Sequence, residues 1–201
     1  MRMMTIVRSL GLLAAVAVTG CKSLDITNPN EPDAARALAD PAAIEAVAGG
    51  AMRQWVNTYE GNLAVAPLTT QAQTYSASWN NFNMNFYSSL DLDGTRNTRT
   101  WQNNPAAAAR TSIEWYWEGY YSALSLATNV LKATRNNGLV INNSADTKRA
   151  EAVAFLIQGA ALSGIAMNYN KGYIIDENAD LATLAYANRL AVRDAALSKL
   201  D

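Results

Sequence analysis

The sequence predicts an all-α protein, and three observations carry that prediction. Apolar residues recur at helical steps: Ile113, Trp117, Tyr120, Leu124, Ala127 and Leu131 are separated by four, three, four, three and four positions, one continuous stripe. Helix punctuation stands where such windows begin and end, as Asp40-Pro41 before one and Asn136-Asn137-Gly138 after another. A third window, Ala150–Tyr169, concentrates Gly159, Ala160, Ala161, Ser163 and Gly164, small residues that let a neighbouring helix come close. At 201 residues and 50% hydrophobic content, the chain is long and apolar enough for one domain with a real core.

Taken in order, residues 1–20 have the layout of an export signal. Arg2 and Arg8 begin it, and Leu10 to Val18 is an uncharged run of nine residues, too short to span a bilayer. The alternative, a buried apolar segment with a core cysteine, leaves the basic start and the small residues Thr19 and Gly20 unexplained. "VTGC" (Val18–Cys21) resembles a bacterial lipobox, and it holds the only cysteine in the chain. That resemblance implies cleavage before Cys21, which would carry a diacylglyceryl thioether and an N-acyl chain. Two or three acyl chains anchor stably where one holds only marginally. Cys21 is therefore predicted as a lipidated anchor that ties the protein to a membrane, not as a nucleophile.

Residues 21–32, "CKSLDITNPNEP", read as an extended tether, because Asn28-Pro29 and Glu31-Pro32 disfavour helix before each proline. The cysteine, "LDITNPNEP" and the following "ALADPAAIEAVAGGAMRQWVN" (Ala37–Asn57) together resemble the start of the SusD/RagB-type nutrient-binding outer-membrane lipoproteins. The resemblance implies a helical body over residues 33–201, built on tetratricopeptide-like helical pairs. It also implies a cell-surface location on the outer membrane, and a partnership with a SusC-like TonB-dependent transporter that receives captured glycans or other nutrients. Members of the family are considerably longer, and the helical pattern runs into "ALSKLD" without glycine, proline or cap. The chain therefore reads as the N-terminal portion of such a protein.

Within the body, Pro32–Asp40 is predicted as a short helix. Asp40 then caps a long one from Pro41 to about Tyr59, with Ile44, Val47, Ala48, Ala51, Trp55 and Val56 on one face. Gly49-Gly50 inside it suggests close packing of a neighbour. Leu63–Pro105 differs in kind: it is rich in Asn, Thr, Ser, Gln and aromatics, and poor in charge. Two readings of this irregular polar-aromatic insertion are open. As a ligand surface, Tyr75, Trp79 and Trp101 would stack on sugar faces while Asn81 and its neighbours bond hydroxyls. As an irregular cap, the aromatics are simply interior, which is where large aromatics usually lie. Asp91–Gly94 starts like a calcium loop but lacks the further acidic ligands, so no metal site is predicted.

The Ile113–Leu131 stripe predicts a helix over about 108–136, with Trp115, Tyr116 and Tyr121 off the stripe and hence burial on several sides. The next helix, about 146–170, is expected to be capped by Ser144 with Thr147 at N3, and to bury Val153, Leu156, Ile157 and Ala160. Lys148, Arg149, Glu151, Gln158, Asn168 and Asn170 interrupt any membrane-spanning apolar run. "AEAVAFLIQGAALSGIAMNYNKG" (Ala150–Gly172) resembles the second helix of the family's first pair. Asp180 is the predicted cap of a last helix over 181–200, with Leu184, Ala187, Leu190, Ala191, Ala195 and Leu197 inward. The spacing of the long helices approximates the tetratricopeptide period of about 34 residues. Yet a true repeat fits two short helices into that length, and the consensus Trp-Leu-Gly-Tyr pattern is absent.

Composition narrows the function. There is no histidine, which removes the commonest general base, the commonest metal ligand and every Ser-His or Cys-His pair. Removing residues 1–20 takes away Arg2 and Arg8 but no acid, leaving 14 basic and 17 acidic groups and a net charge of −3. That is unsuited to nucleic acid, which needs concentrated positive charge. A glycosidase needs only two carboxylates, but no pair is marked by spacing, so no catalytic residue and no cofactor is predicted. The leading expectation is a lipid-anchored glycan or nutrient binder. The alternative is a tetratricopeptide-like scaffold lipoprotein for peptides or envelope proteins. A binder should expose its aromatics, whereas a scaffold should bury them and offer a concave helix face.

Overall fold

The computed structural model describes residues 34–60, 68–69, 106 and 110–201, and over these the protein is all-α apart from one tiny ribbon. A single helical turn, α1 (Ala34–Ala37), stands where the short helix is predicted, and α2 (Pro41–Glu60) follows. Asp40 caps α2: its Oδ1 accepts from the Ala42 N–H at 3.0 Å, and Pro41 occupies N1, where a missing donor costs nothing. Ile44, Ala48, Ala51 and Thr58 are its buried line. Val56 falls off that line and is exposed. Gly49 and Gly50 are not packing contacts as expected, since a Cβ built on either meets nothing within 4 Å.

Helix α3 (Arg110–Leu131) carries the predicted stripe inward, with Tyr120, Leu124, Ala127 and Leu131 fully buried. Of the off-stripe aromatics, Tyr116 is buried and Trp115 is 56% exposed. The last turn widens into a π-helical stretch, Lys132–Asn136, that closes over Gly138 at φ +70°, with the Leu139 N–H donating to the Ala133 carbonyl at 3.0 Å. Helix α4 (Ser144–Asn168) begins one residue earlier in the capping pattern than predicted. Asn143, not Ser144, is the cap: its Oδ1 accepts from Ala145 and Asp146 N–H, each at 2.9 Å, and its Nδ2 donates to Asp146 Oδ2 at 2.8 Å. The reciprocal bond to Asp146 favours Asn143 over its neighbour. Leu156, assigned to the inner face, is exposed.

After α4 the chain forms β1 (Lys171–Gly172), makes an excursion, and returns through β2 (Ala187–Asn188) into α5 (Arg189–Leu200). The strands pair antiparallel, Lys171 with Asn188 and Gly172 with Ala187. The predicted start of the last helix at 181 is thus corrected to 189. Asp180 does accept from the Ala182 N–H at 3.0 Å, but that bond builds only a turn, and Asn188 caps the real helix by accepting from Ala191 N–H at 3.0 Å. The inward face changes as well. Val192 and Ala196 are buried, while Leu190 and Leu197 point to solvent and Ala187 belongs to the ribbon.

Two core clusters define the packing. One joins α2 to the C-terminal half of α3 and the N-terminal half of α4, through Ile44, Val130, Leu131, Ile141 and Ile157. The other joins the N-terminal half of α3 to the C-terminal half of α4 and to α5, through Tyr116, Tyr120, Leu124, Leu162, Ile165 and Val192. Helices α3 and α4 are therefore antiparallel. Small residues let α4 pack closely on both neighbours, as predicted: a Cβ on Gly164 would lie 2.5 Å from Tyr120 Cζ of α3, and one on Gly159 2.5 Å from Leu200 Cγ of α5. Gly119 plays the same part toward Thr58 of α2 at 2.3 Å. Helix α4 is long and apolar enough to cross a membrane by length and composition alone, yet 56% of its most apolar window is buried inside the protein, as befits a central core helix.

Candidate functional site

Cys21, Tyr75, Trp79, Asn81 and Trp101, the residues singled out by sequence, lie outside the described residues. Within them, the most site-like feature is on α3. Trp117, Glu118, Tyr121, Ser122, Ser125 and Leu126 recur at steps of one and three, which places them along one side of the helix. They line a shallow, widely open groove of about 710 Å³ along the surface of α3.

The wall of this groove is the edge of a five-ring aromatic cluster. Trp117 lies 4.6 Å from Tyr121, one turn on, and 5.0 Å edge-on from Tyr169 at the end of α4. Tyr173 and Tyr186 complete the set at 6.4 and 6.3 Å from Trp117. These two are thirteen positions apart, yet the ribbon explains their meeting. Extending its register by one step sets 173 opposite 186, and their rings stack at 4.1 Å. Gly172 lets the ribbon sit there, since a Cβ would lie 2.6 Å from Ile165 Cγ2 and 3.1 Å from the Tyr121 hydroxyl. Tyr121 donates to the Tyr173 carbonyl at 3.1 Å and accepts from the Tyr173 N–H, tying α3 to the ribbon. Tyr169 donates to the Ile113 carbonyl at 2.5 Å.

Burial pushes the Tyr121 phenol up to about 12, against a partial lowering by its bond to the Tyr173 backbone. The phenol is therefore neutral at ordinary pH and holds its hydrogen bonds. Tyr186 is 57% exposed, so the cluster is not sealed from solvent. Sequence reasoning assigned Trp117 to a core stripe and missed its second role. The signal was the density of tyrosines on both sides of "IIDENADLATLA", but only the ribbon brings them together.

A second polar cluster serves the fold. Lys199 Nζ lies 3.1 Å from Asp176 Oδ2 and 3.4 Å from Glu177 Oε2. The buried Gln158 donates through Nε2 to Thr128 Oγ1 at 3.0 Å and to Glu177 Oε2 at 3.3 Å, and Asn136 Nδ2 donates to the Glu177 carbonyl at 2.9 Å. Phe155 lies beneath both Arg135 and Lys199, at 5.3 and 5.8 Å. The arrangement ties the excursion after β1 to α3, α4 and α5, and it engages both neighbouring carboxylates with one ammonium. Among the described residues no group of three or more His, Cys, Asp or Glu is arranged to hold a metal ion.

Comparison of the chain with family models, with curated proteins and with solved structures finds no match.

Proposed function

We propose that this protein is a lipid-anchored, cell-surface binding protein that captures glycans or related polyhydroxylated nutrients and delivers them to a TonB-dependent outer-membrane transporter. The observation that carries the ligand class is the open groove on α3, where an indole and a phenol stand beside two serine hydroxyls and a carboxylate. The apolar face of a sugar ring lies against Trp117 and Tyr121, and Ser122, Ser125 and Glu118 set its orientation through hydroxyl hydrogen bonds. Aromatic contacts of this kind contribute on the order of 1 kcal/mol beyond burial. Binding is therefore weak, as suits a protein that hands its ligand on. Anchor, location and transporter rest on sequence: Cys21 follows Val18-Thr19-Gly20, and the "LDITNPN" tether resembles that of SusD/RagB-type lipoproteins.

The test uses the full chain. Wild type should incorporate a fatty-acid probe in a Gram-negative host and Cys21→Ser should not; equal labelling of the two refutes the anchor. The wild-type protein in detergent should retain members of a glycan array. Ser125→Gln, which lays a longer uncharged side chain into the groove from an exposed position, should lower retention at unchanged melting temperature. Retention untouched by Ser125→Gln removes the groove from the proposal.

A further inference from the structure

The groove has an electrostatic character that the proposed function does not use. Glu118 is the one charged residue among its six lining side chains. On α3 its neighbours three and four positions away are Glu114, Trp115, Tyr121 and Ser122, none of them a cation. Glu114 is itself engaged by Arg110 at 3.0 Å. Among the described residues Glu118 is in no ion pair. Among the described residues, an exposed carboxylate without a cationic partner thus lines the same groove as Trp117 and Tyr121, the latter one turn along α3, and the faces of both rings attract cations.

We infer that the groove selects glycans bearing a primary amine, the amino sugars, over neutral and acidic ones. This rests on reading the groove as a glycan site. A protonated sugar amine gains three things there: the Glu118 carboxylate, the π-faces of Trp117 and Tyr121, and the Ser122 and Ser125 hydroxyls as acceptors. An N-acetylated sugar keeps the stacking and loses the charge. A uronic acid meets Glu118 with like charge and finds no Lys or Arg in the lining to pair with. An exposed ion pair and an exposed cation–π contact together correspond to a preference of about three- to thirtyfold. Both contacts are at the surface, so the preference weakens as salt is raised.

The experiment is calorimetric titration of the full chain in detergent with three oligomers of equal length: glucosamine, N-acetylglucosamine and galacturonate. The buffer is mildly acidic, so that the sugar amines are protonated, and is used at low and high salt. Glucosamine oligomer should bind about three- to thirtyfold more tightly than its N-acetylated counterpart, and galacturonate most weakly. Glu118→Gln should shrink the glucosamine preference to the share the aromatic faces supply, about two- to fivefold. Glu45→Gln, on α2 outside the groove, should keep the preference. Equal binding of all three oligomers, or a preference undiminished in Glu118→Gln, overturns the inference and leaves glycan capture standing. Loss of the preference in Glu45→Gln to the same degree assigns it to bulk charge and also overturns it. Failure of every oligomer to bind, including neutral ones from the array, overturns glycan capture and the inference with it.

Discussion

Replacing Gly164 by alanine tests the central packing of the protein with a single methyl group. Alanine is the better helix former by about 1 kcal/mol, so on propensity alone the change stabilises α4. Packing opposes it. The added Cβ would lie 2.5 Å from Tyr120 Cζ, 2.7 Å from Cε1 and 2.9 Å from Cε2, so something must yield by about 0.9 Å to reach ordinary contact at 3.4 Å. Tyr120 cannot swing away, because it is 1% exposed and stacked on Tyr116 at 6.3 Å. Separating α3 from α4 would open a core that also holds Leu124, Leu162 and Ile165. Overpacking of this kind costs about 1–3 kcal/mol. Gly49→Ala is the internal reference: the same change in helix α2, with nothing within 4 Å of the new methyl. The stability difference between the two variants isolates the packing cost and should be about 1–3 kcal/mol. Urea denaturation followed by circular dichroism measures it, and each kcal/mol should move the melting temperature by about 2–4 °C. Gly164→Ala stabilised as much as Gly49→Ala would show that the ring is not seated on α4, and would refute the helix contact described above.

Two further predictions follow from burial. Leu124→Ala, at a side chain with no exposure, should cost about 2–5 kcal/mol in the same assay, and a cost near zero would mean the α3 stripe faces elsewhere. Alkaline pH should destabilise the fold. Tyr120 and Tyr121 are each pushed up to about 12, chiefly by burial, whereas an unfolded chain ionises its tyrosines near 10. The folded state then holds protons that the unfolded state has lost, so stability is full below pH 10 and falls as pH rises from about 10 to about 12, by up to about 2 kcal/mol for Tyr120 alone. Denaturation curves across that window, with phenolate absorbance to count native titrations, check it; both phenols ionising at pH 10 in the native protein would refute it.

What could be read from the sequence was local. Asp40-Pro41 fixed the start of α2 because one side-chain oxygen and one proline ring suffice to open a helix. The stripe of α3 and the small residues of α4 were likewise visible in spacing alone. Errors arose where two neighbours offered the same chemistry or where a distant segment decided. Ser144 and Asn143 are both good caps, and the choice went to Asn143 through its partner Asp146. Asp180 bonds forward as a cap does, but the residues after it turn back to pair with Lys171–Gly172, a contact no local pattern announces. The candidate groove shares that origin. Trp117 and Tyr121 were legible as neighbours on a helix, whereas the Tyr173–Tyr186 stack behind them exists only once the ribbon has formed. The helical class therefore emerged early, and the aromatic cluster only in three dimensions.

The short ribbon also bears on how freely the protein can be altered. Its two pairs close the excursion at its base, with Arg189 N–H bonded to the Asn170 carbonyl at 3.0 Å just outside, and Lys199 pins Asp176 and Glu177 near its start. Beyond those ties, Leu181, Ala182 and Thr183 face solvent. A loop clasped at its foot is lengthened cheaply, at about 0.6 kcal/mol for each doubling. The stretch 181–183 is thus a place where the chain can accept an inserted tag, a reporter or, over evolutionary time, an extra recognition loop, while α4 and α5 remain joined beneath it.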